Sequence, residues 1–148
     1  MRVTGSVLTL MLTSCATHVV APDEGGGDSL VGAWHLAALE EPGTDGALHA
    51  ADATGQLLFT PDGHVSVHVM YRDQTAGPPA YSVGGYEATF GTYRIHPGAR
   101  TFTIHVEGAL VRSLIGKDLP RAFEHVAGQL IVTSTHPNEH WKVTWVRP

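Results

Sequence analysis

Between Gly32 and Val146 the chain breaks into short stretches in which apolar and polar residues alternate, with turn-forming residues between them. Val65, Val67 and Val69 alternate with His64, Ser66 and His68. Phe102, Ile104 and Val106 alternate with Thr101, Thr103 and His105. A period of two places one residue set on each face of an extended chain, so these stretches read as half-buried β-strands. The pattern predicts eight strands, over 32–39, 55–60, 64–71, 86–95, 101–107, 121–126, 129–135 and 141–146. Only 108–120 leaves room for a helix, and a brief one.

The connections alternate in length. Pro61-Asp62-Gly63, the segment 96–100 with its Pro-Gly pair, and Ala127-Gly128 are tight turns. The segments 40–54, 72–85 and 108–120 are long, and 136–140 falls in the same series. In an up-and-down meander, alternate connections lie at opposite ends. The tight turns therefore gather at one end and the long segments at the other. The expected fold is all-β, an eight-stranded up-and-down antiparallel barrel shaped as a cup, with room for about one small ligand. Trp34 opens the first strand and Arg147 follows the last, which puts both at the tight end. A guanidinium stacks well on an indole face, so this pair is expected to close the base of the barrel.

Composition narrows the function classes. A chain of 148 residues holds one domain and one core. Its 43% hydrophobic and 16% charged residues make it globular rather than disordered. The net charge of −5, with both signs interspersed, argues against a nucleic-acid partner. Cys15 is the single cysteine, so no intramolecular disulfide supports the fold.

That cysteine sits in a targeting segment. Arg2 is followed by a short apolar run over 3–12, too short to span a bilayer as a mature helix. Leu12-Thr13-Ser14-Cys15 resembles the lipobox of bacterial lipoproteins. The resemblance implies cleavage before Cys15 and lipidation of its thiol and new amine. Ala16 in the next place, rather than Asp, resembles the pattern that sorts to the outer membrane. Residues 1–14 are thus expected to be a signal peptide and 15–29 a flexible tether, leaving 30–148 as the barrel. The expected address is the bacterial cell envelope, lipid-anchored at the outer membrane and facing the periplasm.

The barrel segments resemble a known family. Leu30-Val31-Gly32-Ala33-Trp34 is followed in order by Gly55-Gln56-Leu57-Leu58-Phe59-Thr60-Pro61-Asp62-Gly63, Phe90-Gly91-Thr92-Tyr93 and His105-Val106-Glu107-Gly108. Ile115-Gly116, Arg121-Ala122-Phe123 and the closing Trp145-Val146-Arg147 complete the set. Together they resemble the calycins, most closely the bacterial lipocalin-like domain family. The resemblance implies a lipocalin-like barrel with small hydrophobic ligands as usual cargo, and it implies no reaction. The family's common ending carries an acidic residue where this chain has Val146.

Among candidate chemistries, His136-Pro137-Asn138-Glu139-His140 matches the spacing of inverted zinc proteases. That chemistry needs both His on one helix, and Pro-Asn within a turn between strands forbids it. His64 and His68 share a strand face but lie roughly 13 Å apart at about 3.3 Å per residue, too far to share an ion. No metal and no cofactor are expected. The rim offers the remaining candidates: Tyr71, Glu107 and Arg121 at strand ends, with His105 one step below Glu107. If their face points inward, they converge on a ligand head, and His105 with Glu107 supplies an acid–base pair. Alternation favours the opposite, with Phe102, Ile104 and Val106 filling the cup.

The expected function is binding or sequestering a small hydrophobic or amphipathic molecule, without catalysis. A barrel isomerase or cyclase using the rim residues is the alternative. A core packed solid by Phe59, Phe90, Phe102 and Trp145 would instead make the protein a structural envelope component. Several acyl chains anchor stably where one binds only marginally. Fractionation of a Cys15→Ser variant should therefore find it released from the membrane. Retention as firm as the parent's would place the anchor elsewhere.

Overall fold

The structure, a computed structural model, describes residues 29–148. The expected signal peptide over 1–14, Cys15 and the expected tether up to residue 28 lie outside the described residues. The chain forms β1 (Gly32–Pro42), β2 (Leu48–Ala50), β3 (Ala53–Phe59), β4 (His64–Tyr71), β5 (Tyr86–His96), β6 (Thr101–Ala109), β7 (Asp118–Val126), β8 (Gln129–Ser134) and β9 (Lys142–Val146). From β3 to β9 each strand pairs antiparallel with the next, and β1 pairs with both β3 and β9. The sheet is closed into an eight-stranded barrel by β1 and β3–β9, as the alternation predicts. Within 108–120 the helix is a single 3-10 turn at Arg112–Leu114.

The segment 40–54 is more ordered than a loop. β1 runs on to Pro42 and turns back, so that Glu40, Glu41 and Pro42 pair with Ala50, His49 and Leu48 of β2. This follows from the work that β1 does. Its first residues pair with β3, and residues from His35 onward pair with β9. A bulge between Leu36 and Ala38 shifts the register on β9. Bulges bend a strand and raise its twist, and here β1 leaves β3 to follow β9.

The base is sealed as expected. Trp34 is 2% exposed. Its Nε1 donates to the Leu30 carbonyl at 2.8 Å, and the Arg147 guanidinium lies 3.8 Å from its ring centre. Arg147 also donates to the Val31 carbonyl at 2.8 Å and the Ser29 carbonyl at 2.9 Å, strapping the lead-in to β1 across the base. Gly32 makes this possible. Its φ is +123°, and a Cβ there would stand 2.1 Å from Arg147 Nη1. Any other residue is strained and displaces the guanidinium.

Aromatic rings fill the lower barrel. Phe59 meets Tyr93 and Phe102 edge-on at 4.9 and 5.3 Å between ring centres, and Phe102 lies 5.9 Å from Phe123. Such edge contacts add to the apolar area they bury. Phe90 is not among them. On β5 the inward set is Glu87, Thr89 and Gly91, so Phe90 points out, is 56% exposed, and lies over Gly108 of β6.

In urea unfolding, Trp34→Ala should lower stability by about 3–5 kcal/mol, the cost of a large buried ring replaced by a cavity. Arg147→Ala should cost less, because the ring stays buried and only stacking and strap bonds are lost. Equal stability of Trp34→Ala and parent would rule out a plug at the base.

Candidate binding chamber in the upper barrel

Towards the rim the inward positions carry smaller side chains, and the barrel is not filled. Leu57, Val67, Val69, Ile104, Val132 and Val143 wall a cavity of about 90 Å³. Pro78 and Tyr81, from the long segment 72–85, close over it at the rim. Glu41, Tyr71, Glu87, Thr89 and Arg121 break the apolar lining. An apolar chamber with a few convergent polar groups is the usual form of a small-molecule site.

Arg121 projects inward from β7 and is 8% exposed. Its guanidinium lies 5.1 Å from the Trp141 ring and 5.4 Å from the Tyr81 ring. One nitrogen donates to the Pro120 carbonyl at 3.0 Å. The two rings are themselves held by Glu139, which accepts from the Tyr81 hydroxyl at 2.7 Å, Ser134 Oγ at 2.7 Å and Trp141 Nε1 at 3.3 Å. Burial opposes the Glu139 charge, yet the bonds from Ser134 and Tyr81 and the nearby Arg121 hold its carboxyl below the usual range. The acid of the turn 136–140 thus ties the segment 72–85 to the end of β8 and positions the rings beside Arg121.

Glu87 faces the chamber from β5, where it pairs in register with Val69. Burial raises its carboxyl to about 7; Arg121 works against this and Glu41 adds to it. Two places along β5, Thr89 is 4% exposed and its hydroxyl has no hydrogen-bond partner among the described residues. Tyr71 donates to the Glu41 carboxylate at 2.7 Å. Burial, and then the bond to Glu41, push its phenol well above the ordinary value.

A second hollow of about 530 Å³ lies outside this pair, between the β1–β2 hairpin and the start of the segment 72–85. Glu41 and Tyr71 line both hollows, so their hydrogen bond stands as a partition between rim cleft and chamber. Arg72 Nε pairs with Asp52 at 2.6 Å on the cleft side. Gly77 lets the segment approach this partition: its φ is +91°, and a Cβ would stand 2.7 Å from the Tyr71 ring.

Of the four rim candidates, Tyr71 and Arg121 face the chamber. His105 and Glu107 are on the outer surface of β6, and His105 Nδ1 lies 2.8 Å from Asp118 of β7. Convergence of all four, the condition for the acid–base alternative, is therefore absent. The pleat decides it, since Phe102, Ile104 and Val106 occupy the inner face of that strand. His64 and His68 also face out, one 3.2 Å from Asp62 and the other 3.3 Å from the Tyr86 hydroxyl. Sequence reasoning missed Glu41, Glu87, Tyr81 and Trp141. For Glu87 the pattern misleads, because Tyr86, Ala88 and Phe90 look like the core set of that strand and form its outer face. Glu41 and Tyr81 sit in segments without a period to read.

The raised carboxyl has a consequence for stability. Between pH about 4.5 and 7, folded Glu87 keeps a proton that the unfolded chain has released. Stability therefore falls as pH rises through that window and levels off above it, by about 3 kcal/mol at most. Urea unfolding from pH 4.5 to 8 should show this decline in the parent and lose it in Glu87→Gln. A decline of equal size in both proteins would assign it to other groups.

A family model described as a lipocalin-like domain matches residues 31–147. No curated protein matches the chain. Barrels of this kind generally bind small hydrophobic ligands, and the chamber lies where such a ligand would sit. With the match running from the base strap to the closing arginine and the barrel shut as described, the chain belongs to the lipocalin-like domain family.

Proposed function

We propose that this protein is a lipid-anchored binder that holds a small amphipathic molecule in the upper half of its barrel. One observation carries this reading. The chamber combines apolar walls with convergent polar groups: among the described residues the Thr89 hydroxyl has no hydrogen-bond partner, and Arg121, cradled by two rings, makes no direct salt bridge to a carboxylate. Buried polar groups without partners cost stability. Their persistence in one cavity is what a site for a polar head requires.

At about 90 Å³ the chamber takes a head and a few carbons. A longer tail would leave past the Glu41–Tyr71 partition into the rim cleft. The lipobox-like Leu12-Thr13-Ser14-Cys15 supports a membrane anchor, and Ala16 supports the outer membrane, periplasmic side. The tether enters at the base, beside Trp34, so the rim would face away from the bilayer and receive ligand from the aqueous space.

Calorimetry with octanol as a neutral probe tests the binding reading. Val67→Phe fills the chamber and should weaken binding about tenfold or more, the effect of roughly 1.4 kcal/mol. His105→Ala, on the outer face, should leave it unchanged. Equal loss in both variants, with both folded, would place binding outside the barrel.

A further inference from the structure

We propose that the head bound in the chamber is a carboxylic acid, held between Arg121 and Glu87 so that ligand and Glu87 share one proton. The proposal rests on the binding function above and names the chemistry of its ligand. Arg121 and Glu87 line one cavity from β7 and β5, with opposite charges and no ion pair between them. Within the described residues no group donates a hydrogen bond to Glu87, and the Arg121 guanidinium donates to the Pro120 carbonyl and lies against the Tyr81 and Trp141 rings rather than meeting Glu87. Charges buried at this depth are normally paired, because each unpaired one costs several kcal/mol. Here both line one cavity instead of meeting in a salt bridge. Its occupant must accept hydrogen bonds from the guanidinium and donate one to the carboxylate.

A carboxylic acid does both. Its carbonyl oxygen accepts from Arg121, and its O–H donates to Glu87. An ammonium would satisfy Glu87 and stand against the Arg121 cation. A dianionic phosphate would bring two negative charges beside both glutamates. Groups that face Glu87 across the chamber are Glu41 from β1, Tyr71 from β4, Tyr81 from the segment 72–85 and Arg121 from β7. Strands β3, β6, β8 and β9 present only apolar side chains there. Glu139 is already held in its charged form partly by Arg121, and two further carboxylates beside the same guanidinium cannot both stay ionised at hydrogen-bond distance. A carboxylate that enters from neutral water thus takes up one proton: ligand carboxylate, Glu87 carboxylate and one solvent proton give the bridged pair, and no covalent bond changes. Burial has already lifted Glu87 to about 7, so this uptake belongs to the range above neutrality.

The test is calorimetry of the parent with octanoate, octanol and octylamine, in buffers of different ionisation heat. Octanoate should bind without proton uptake at pH 6 and with about one proton at pH 8, its affinity falling up to about tenfold per pH unit above Glu87's titration. Octanol affinity should be flat with pH, and octylamine should bind most weakly. Glu87→Gln keeps a neutral donor, and should bind octanoate with no proton uptake at either pH. Arg121→Gln should lose octanoate binding about a hundredfold while changing octanol less than threefold. Octanol binding with octanoate affinity flat from pH 6 to 8, uptake that persists in Glu87→Gln, or tighter octylamine binding overturns the proposal and leaves the binding function standing. Failure of all three probes to bind overturns both. The parent's own pH profile decides the matter should either variant fail to fold.

Discussion

The pairing of β1 with β9 is the contact on which the rest depends. Without it the sheet has two open edges, each a row of unpaired backbone groups. With it, no barrel edge is left at this seam, and the inward face of each strand is set. A slip of one residue anywhere would turn Arg121 or Glu87 out to water and bring its neighbours in. The bulge at Leu36 and Ala38 allows β1 to serve β3, β9 and β2 in turn. The stacking of Arg147 on Trp34 then ties the two ends of the barrel chain together at the base.

Above that seam the interior divides into two layers with different chemistry. Trp34, Phe59 and Phe102, among the largest fully buried side chains, pack the base with Phe123 against them. Valines and leucines wall the upper layer and leave it partly empty around Arg121, Glu87 and Thr89. The two layers divide labour. A solid base tolerates a chamber that is costly to keep, since a buried hydroxyl without a partner and a carboxyl forced towards its neutral form weaken a fold that has only a few kcal/mol to spare. Placing that cost in one cavity, with a roof of Pro78 and Tyr81, is consistent with a site rather than a packing fault.

Glu139 shows how a motif can carry meaning other than the one its spacing suggests. In the turn 136–140 the His residues play no part in the chamber. The acid between them gathers Ser134, Tyr81 and Trp141, and so sets the aromatic surroundings of Arg121. The bonds join the end of β8, a rim segment and the approach to β9. Distant pieces of chain meet at one carboxylate, which no local pattern reveals.

The barrel was legible in the sequence because its signals are local. Alternation in 64–71 and 101–107, the tight turns at 61–63 and 127–128, and the alternation of short and long connections specify strands, their order and the end that closes. Trp34 and Arg147 were legible for the same reason: the meander alone puts both at the base. The chamber was legible only where parity was unambiguous. Tyr71 continues the clear apolar set of Val65, Val67 and Val69, and Arg121 was picked out by its place at a strand end, whereas Glu87 lies on β5, where Phe90 and Ala88 mimic an inner face and Gly108 of β6 gives Phe90 its place outside. The raised titration of Glu87, the partition made by Glu41 and Tyr71, and the cavity that Glu87 shares with Arg121 exist only once the sheet has closed. Sequence by itself determined the strands and the cup, because strand period and turn chemistry act between near neighbours. Tertiary structure alone decided what the cup contains, because burial and electrostatics depend on which residues closure brings face to face.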